Sequence, residues 1–478
     1  MRLTFLSLFI TVLQTISMQS QNFQQFINYL NALPEGERQT KVDSFMNAGN
    51  SFPYTEMDTL VGFVFQGNAA SVAIAGDPTQ WSPSVSLSRI EGTDFWHCSK
   101  VYETDARLDY KFVLNNSNWI LDPLNPHTCV GGYGPNSELR MPGYILPPEI
   151  AYDPSIPHGI VKDTIFSSYN LGNSRPVRIY LPPGYDSTTV PYPVILFHDG
   201  PEYISLGNAA NIIDYLIARK QIIPVVGIFV PPVDRTSEYA GSKKEPFRKF
   251  ILDELMPVLG ERYRLDPDPG KRAMIGASHG GNISLYIAMK NPESFGKIGA
   301  QSSNVQSEIS NTFQSNEKLP LELYLDLGKY DIAALIPLVE NLVNILDEKG
   351  YSYQYLFVPE GHSWGNWKGH LRYALTQFFP FQTGISIEQG SLDIELKQNY
   401  PNPFYQQTII PFKAPSGYYA RLELQDLSGR HLETLFNDYL ADPENSWTFV
   451  NSSYPAGSYL YTLYVQGQSR SRLLTIIQ

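Results

Sequence analysis

Cysteine is almost absent from this chain. Cys98 and Cys129 are the two among 478 residues. A disulfide scaffold is therefore excluded, and one bridge or two unpaired thiols both stay open. An excess of positive charge is missing as well. Lys and Arg number 35 against 47 Asp and Glu, a formal net charge of −12. Phosphate backbones need a basic footprint, so nucleic acid is excluded as a partner. Beyond the first twenty or so residues no apolar run is long enough to span a bilayer, which argues against an integral membrane protein. No group of His, Cys and carboxylate residues has metal-ligand spacing, and no cofactor is implied. What is present is length, a 42% apolar fraction, and many glycines and prolines. That combination predicts several domains, some of them turn-rich β structures.

The first residues, MRLTFLSLFITVLQTISMQSQ, place one Arg before an apolar run and then small polar residues. This predicts a secretory signal peptide over 1–20, cleaved near Ser17 to Ser20. A helical segment follows over 21–50. Phe23, Phe26, Ile27, Leu30 and Leu33 share one face, and Pro34 ends that helix. Val42, Phe45 and Met46 mark a second one.

From 55 to 145 short strands are broken by Gly, Asn, Asp and Pro, the pattern of a small β-sandwich. VAIAGDPTQW, FWHCSKVYE and DYKFVLNNSNWILDPLNP resemble the early-set domains that precede glycan-active enzymes and are related to glycogen-binding modules. The resemblance implies exposed aromatics that stack on sugar rings, with Trp81, Trp96 and Trp119 as candidates. Packing in a core or a turn is the plain alternative for all three. A proline-rich stretch over 141–159 reads as a linker. From 155 to 382 apolar strands alternate with amphipathic helices, which predicts a mainly parallel sheet covered on both faces. The segment 388–478 returns to short strands. LKQNYPNPF, LELQDLSGRHLETL and YPAGSYLYTLYVQGQSRSRLLTII resemble the C-terminal sorting domain of the bacterial type IX secretion system. That resemblance implies passage through the periplasm and outer membrane to the cell surface or medium, with the type IX machinery as partner.

One short stretch carries the chemistry. In MIGASHGGNISLYIAM, Ser278 lies between Gly276 and Gly280, after a strand and before a helix. This is the G-x-S-x-G elbow, whose strained turn presents a serine hydroxyl at the carboxyl edge of a sheet. The N–H of His279 then faces a developing oxyanion. A serine nucleophile needs a base, and the base needs an orienting acid, in the order Ser, acid, His on this kind of fold. His362, His370 and His431 follow Ser278. His431 belongs to the tail and His370 to a helix, whereas His362 follows the strand YQYLFVP, where a base belongs. For the acid, Asp331 lies in the loop after LELYLDLGKY, Asp326 lies inside that strand, and Glu360 is in reserve. The second oxyanion donor is expected after the strand ILFHDG. Pro201 has no N–H, so Gly200 or Glu202 must supply it. His198 and Asp199 either shape that loop or are ordinary turn residues.

RPVRIYLPPGYD, HDGPEYI, GASHGGN, GKYD and GHSWGNWK together resemble the esterase family that includes enterochelin esterases, feruloyl esterases and esterase D. The resemblance implies an α/β-hydrolase with Ser278, Asp331 and His362 as its triad. DRTSEYAG resembles a family loop, which implies that Arg235 and Glu238 line the substrate pocket, with a surface ion pair as the alternative. Trp364, within the GHSWGNWK motif, is a further expected substrate contact. The expected architecture is an α/β-hydrolase core flanked by an N-terminal Ig-like β-sandwich and a C-terminal β-sandwich. The expected activity is an exported serine esterase that removes feruloyl or acetyl groups from plant polysaccharide. A ferric-siderophore esterase is the runner-up. A non-catalytic glycan-binding surface protein with a relic hydrolase domain is the alternative of another class.

Overall fold

In a computed structural model the described residues are 22–381 and 394–477, apart from 417, 428–430, 452, 466 and 467. The expected signal peptide lies outside them. Clustering of contacts divides the chain into two units. One holds residues up to Ala106 with 110–128 and 137–144, and the other holds 107–109, 129–136 and the chain from Ile145 onwards. No helix among the described residues is long and apolar enough to cross a membrane.

The first unit opens with helices Phe23–Ala32 and Glu35–Met46. Asn22 caps the first by accepting the Gln25 N–H, and Phe23, Phe26, Ile27 and Leu30 are its buried stripe. Leu33, expected on that stripe, is the C-cap, because Pro34 follows it. Antiparallel strands then form two sheets. They face each other through Phe63 against Tyr110, with ring centroids 5.1 Å apart, and Phe65 against Phe112. Trp96 is buried under Arg89, and its indole N–H donates to the Gly67 carbonyl, so it is a packing residue rather than a sugar platform. Trp81 is half-buried and donates to Asp77 in a turn, whereas Trp119 is exposed. Cys98 and Cys129 are not joined in a disulfide, and burial pushes the Cys98 thiol up to about 12.

The second unit is organised by an eight-stranded sheet. Its strands are β1 (Ile160–Ser168), β2 (Asn173–Leu181), β3 (Val194–His198), β4 (Val226–Val230), β5 (Arg272–Ala277), β6 (Lys297–Gln301), β7 (Glu322–Tyr330) and β8 (Ser352–Gly361). The spatial order is β1-β2-β4-β3-β5-β6-β7-β8, with β1, β2 and β4 antiparallel neighbours and the rest parallel. Val194, Ile195, Leu196 and Phe197 on β3 and Ala273, Met274 and Ile275 on β5 are fully buried, as strands covered on both faces must be. The helices that matter for the site are α1 (Gly200–Ser205), α2 (Arg235–Ala240), α3 (His279–Lys290) and α4 (Trp364–Phe378). The helical stretch EPFRKFILDELMPVLGERY contains a π-turn at Phe250–Leu255, just before Pro257, whose missing N–H breaks the α ladder. Strands from 395 to 476 build two further antiparallel sheets around Leu396, Phe412, Leu422 and Tyr461.

The position of α2 depends on a buried ion pair. Arg175 on β2 donates to both carboxylate oxygens of Glu238, at 2.8 and 3.0 Å, and its guanidinium lies over the Phe250 ring. Neither side chain is exposed to solvent. Glu238 was expected to line the substrate pocket, and the structure corrects that. A fully buried carboxylate needs a charge partner, and Arg175 is this one's partner. Replacing Glu238 by Ala would leave a guanidinium buried and uncompensated. The expected outcome is a loss of about 3–5 kcal/mol of stability, read as a lower urea midpoint.

Candidate active site

β5 ends at Ala277, and α3 begins at His279. Ser278 between them has φ 57° and ψ −118°, a strained backbone for a residue with a Cβ. Three backbone hydrogen bonds hold it there. Its N–H donates to the Gln301 carbonyl at 2.8 Å, and its carbonyl accepts from the N–H groups of Asn282 and Asn304 at 3.2 Å each. The flanking glycines are required by contact. A Cβ on Gly276 would lie 2.2 Å from the Gly280 carbonyl carbon, and one on Gly281 would lie 2.8 Å from Ser303 Oγ. The Ser278 side chain is half-buried.

β7 and β8 leave the sheet side by side. Their register shifts between Gly328 and Tyr330, so that Tyr330 pairs with Gly361. Gly328 makes room for the Glu360 carbonyl, which a Cβ would approach to 2.1 Å. Asp331 and His362 are the next residues on the two strands. They meet with Asp331 Oδ1 at 2.7 Å from His362 Nδ1, and Asp331 is wholly buried. The carboxylate oxygen also accepts the Ile332 N–H. A proton on Nδ1 leaves the lone pair on Nε2, the form a general base needs. Trp367 on α4 packs edge-on against the His362 ring, with centroids 5.0 Å apart.

The rejected candidates are occupied elsewhere. Asp326 is fully buried and accepts from Gln301 and Tyr324; burial pushes its carboxyl up to about 6. Glu360 reaches His370 rather than His362, at 3.7 Å. His370 Nδ1 bonds to Asn366 within its own helix.

β3 ends at His198, and Asp199 turns the chain through φ 55° into α1. Among the first N–H groups of α1, Pro201 has none and the Glu202 N–H donates to the Asp199 carbonyl. Glu202, expected as a possible oxyanion donor, is therefore corrected to an ordinary first-turn residue. The Gly200 N–H remains, at a helix terminus where donors have no intrahelical acceptor. A side chain is impossible at Gly200, because a Cβ would lie 2.3 Å from the Phe229 carbonyl carbon. The His279 N–H has the matching place at the start of α3. The His279 ring is half-buried, and its Nδ1 lies 3.1 Å from the Asn304 amide. Burial and then the charge of Arg235 hold its pKa below the ordinary value, against a smaller opposing effect of Asp199.

Arg235, at the start of α2, lies against this centre. Nε and Nη2 bond Asp199 at 2.8 and 2.7 Å, and Nη2 also donates to the Ala277 carbonyl at 3.0 Å. Trp364, in contrast, is packed between Tyr203 and Trp367, at 5.1 and 5.0 Å. It is buried in the core beneath α1 and α4, which gives it a structural role instead of the expected contact with substrate. Three residues that sequence reasoning passed over also shape the centre. Tyr239 accepts the Asp199 N–H, Gln301 ties Tyr203 to Asp326 and to the Trp367 carbonyl, and Trp367 donates to Ser302. Tyr239 had a signal in the E-Y pair of DRTSEYAG; Gln301 had none.

A strained serine at a strand–helix turn, an Asp–His pair on neighbouring strands and two helix N-termini together are what acyl transfer requires. Residues 168–378 match the Esterase family. The chain is 28% identical to YjcH, an uncharacterised protein of Bacillus subtilis, over 46% of its own length and 97% of that protein. It is 30% identical to the endo-1,4-beta-xylanase/feruloyl esterase of Xylanibacter ruminicola, over 31% of this chain and 22% of that enzyme. It is 27% identical to the iron(III) enterobactin esterase of Escherichia coli, over 47% of this chain and 62% of that enzyme. The solved enterobactin esterase FES of Shigella flexneri shares the fold, with a TM-score of 0.58 at 23% identity, covering 68% of this chain and 94% of that one. The match and these relatives support an esterase-type hydrolase.

His198, at the end of β3, is fully buried, and neither ring nitrogen has a hydrogen-bond partner. Burial, and then the charge of Arg235, lower its pKa from 6.5 to about 3. The unfolded chain therefore takes up a proton that the folded chain refuses. Stability linked to His198 is complete above pH 6.5 and is lost as the pH falls towards 3, by up to about 1.4 kcal/mol per pH unit. His198→Leu removes this linkage. Between pH 6.5 and 4 its urea midpoint is expected to fall less steeply than that of the wild type.

Proposed function

We propose that this protein is an exported serine esterase with Ser278 as nucleophile, His362 as base and Asp331 as orienting acid. The observation that carries the reading is the 2.7 Å contact between Asp331 and His362, formed where β7 and β8 end, at the same edge of the sheet as the strained Ser278 after β5 and separated from it by β6. Ser278 Oγ attacks the ester carbonyl, and its proton passes to His362 Nε2. The tetrahedral oxyanion takes hydrogen bonds from the N–H groups of His279 and Gly200. The C–O bond to the alcohol then breaks, and His362 returns the proton to the leaving oxygen. Water, deprotonated by the same imidazole, hydrolyses the acyl-enzyme. Asp331 stays ionised and keeps the proton on Nδ1.

The substrate class we favour is a feruloyl or acetyl ester on plant polysaccharide. The resemblance of the N-terminal sandwich to glycan-binding early-set domains, the exposed Trp119, and similarity to a xylanase/feruloyl esterase support it. The signal-like N-terminus and the sorting-like tail support export through the type IX machinery. A second reading, hydrolysis of a ferric-siderophore ester, is favoured by similarity to an iron(III) enterobactin esterase over most of that enzyme's length.

The test is hydrolysis of aryl acetate, methyl ferulate, feruloylated arabino-oligosaccharide and enterobactin. The expected ranking puts the feruloylated sugar first, and the opposite preference, for enterobactin, moves the assignment to the siderophore class. Ser278→Ala should abolish turnover, and Asp331→Asn should lower kcat by roughly 10³ to 10⁴ with KM little changed. A wild type inert on all four and unlabelled by a fluorophosphonate would sink the esterase reading and leave the relic-domain alternative.

A further inference from the structure

The two oxyanion donors start on different strands, and something must set the gap between them. β3 and β5 are parallel neighbours in the register Phe197 to Ile275. Each ends in a non-glycine residue at positive φ, Asp199 at 55° and Ser278 at 57°, and each then enters a helix. The Gly200 and His279 N–H groups are thus the first donors of two helix termini lying side by side. The approach is close, since a Cβ on Gly280 would lie 3.1 Å from Asp199 Oδ2.

Arg235 reaches this gap from the other side of β3. It follows β4, which neighbours β3 and not β5. Two of its hydrogen bonds grip the carboxylate of Asp199, immediately before Gly200. Its third grips the carbonyl of Ala277, two residues before His279. The planar guanidinium fixes both with one rigid group, a geometry that an ammonium does not reproduce. The arginine is itself held. Asp234 caps α2, Glu238 anchors it to Arg175, and the Tyr239 ring lies 5.7 Å below the guanidinium while its hydroxyl accepts the Asp199 N–H.

We infer that Arg235 is a positioning residue that sets the distance between the Gly200 and His279 oxyanion donors, rather than a contact for the substrate. The inference rests on the esterase reading above. Its consequence is a defect in transition-state stabilisation with ground-state binding intact.

The experiment compares wild type, Arg235→Met, Arg235→Lys and Ser278→Ala as full chains on a neutral aryl acetate and on the anionic ester of a hydroxycinnamate. Inhibition by a trifluoromethyl ketone is measured alongside. Activity in the wild type and none in Ser278→Ala establishes the reading beneath the inference; an inert wild type overturns both. For Arg235→Met the expected result is a fall in kcat of roughly tenfold to a hundredfold on both esters, with KM within about twofold. The ketone should weaken in the same proportion, because its hemiketal oxyanion occupies the same hole. Arg235→Lys keeps the charge and should show most of the same loss, and it decides the matter if the Met variant does not fold. Adding Asp199→Asn to Arg235→Met should cost little more, since one brace has already been cut. Wild-type kcat in either arginine variant overturns the inference. So does a defect confined to KM for the anionic ester, which would make Arg235 a substrate contact.

Discussion

Ser278 at φ 57° is the constraint on which the rest of the eight-stranded domain depends. A residue with a side chain gives up about 1–3 kcal/mol to stay in such a conformation, and it persists only where its surroundings over-determine it. Here the surroundings are the β6 carbonyl of Gln301, the Asn304 N–H and the close crossing of Gly276 with Gly280. The strain is what turns the end of a buried strand into a half-buried hydroxyl at the sheet edge and opens a helix terminus beside it. The order of the strands follows the same logic. With β3 and β5 adjacent, the second helix terminus arrives next to the first without any long loop.

The base side is built with less strain and more buried polarity. One register shift between β7 and β8 brings Asp331 opposite His362. Behind them Gln301 joins Tyr203, Asp326 and the Trp367 carbonyl, all out of water. A buried network of this kind resists rearrangement, because each lost hydrogen bond leaves a costly orphan, and Asp326 Oδ1 already has no partner. Gln301 contributes twice, with its carbonyl to the elbow and its side chain to the support beneath the imidazole. The nucleophile and the base are therefore referenced to one residue on β6.

The parallel sheet and the places of Ser278, Asp331 and His362 at strand ends were legible in the sequence, because they are written in short-range pattern. Apolar strands alternating with helices predicted the parallel sheet, and two glycines around Ser278 predicted the elbow. His362 and Asp331 were found by their places after strands. The missing N–H of Pro201 narrowed the oxyanion donor to Gly200 or Glu202. Choosing between them needed the helical bond from the Glu202 N–H to the Asp199 carbonyl, which only coordinates supply. Glu238 and Trp364 were misread for a different reason. Charge and aromaticity near a motif suggest a pocket, but the depth of a side chain depends on distant partners, here Arg175 on β2 and Tyr203 on α1. Gln301, Tyr239 and Trp367 act through tertiary contacts and leave almost no local trace.

The six-residue helix α2 has a consequence for how such an enzyme changes over generations. Asp234 caps it, Arg235 holds two neighbouring turns, Glu238 balances a buried cation, and Tyr239 receives a backbone N–H. Four of the six polar side chains from Asp234 to Tyr239 are committed to the scaffold, so drift at those four is penalised whatever the substrate. Val233, two residues before Arg235, gives its backbone N–H to Glu238 but leaves its side chain 59% exposed. Ile332 has the same character on the opposite side of the site, with its N–H bound to Asp331 and its side chain 44% exposed. Heritable variation is thereby channelled to such exposed positions beside the frame, where a new side chain disturbs no shared hydrogen bond. The catalytic frame can be inherited unchanged while its diet diverges.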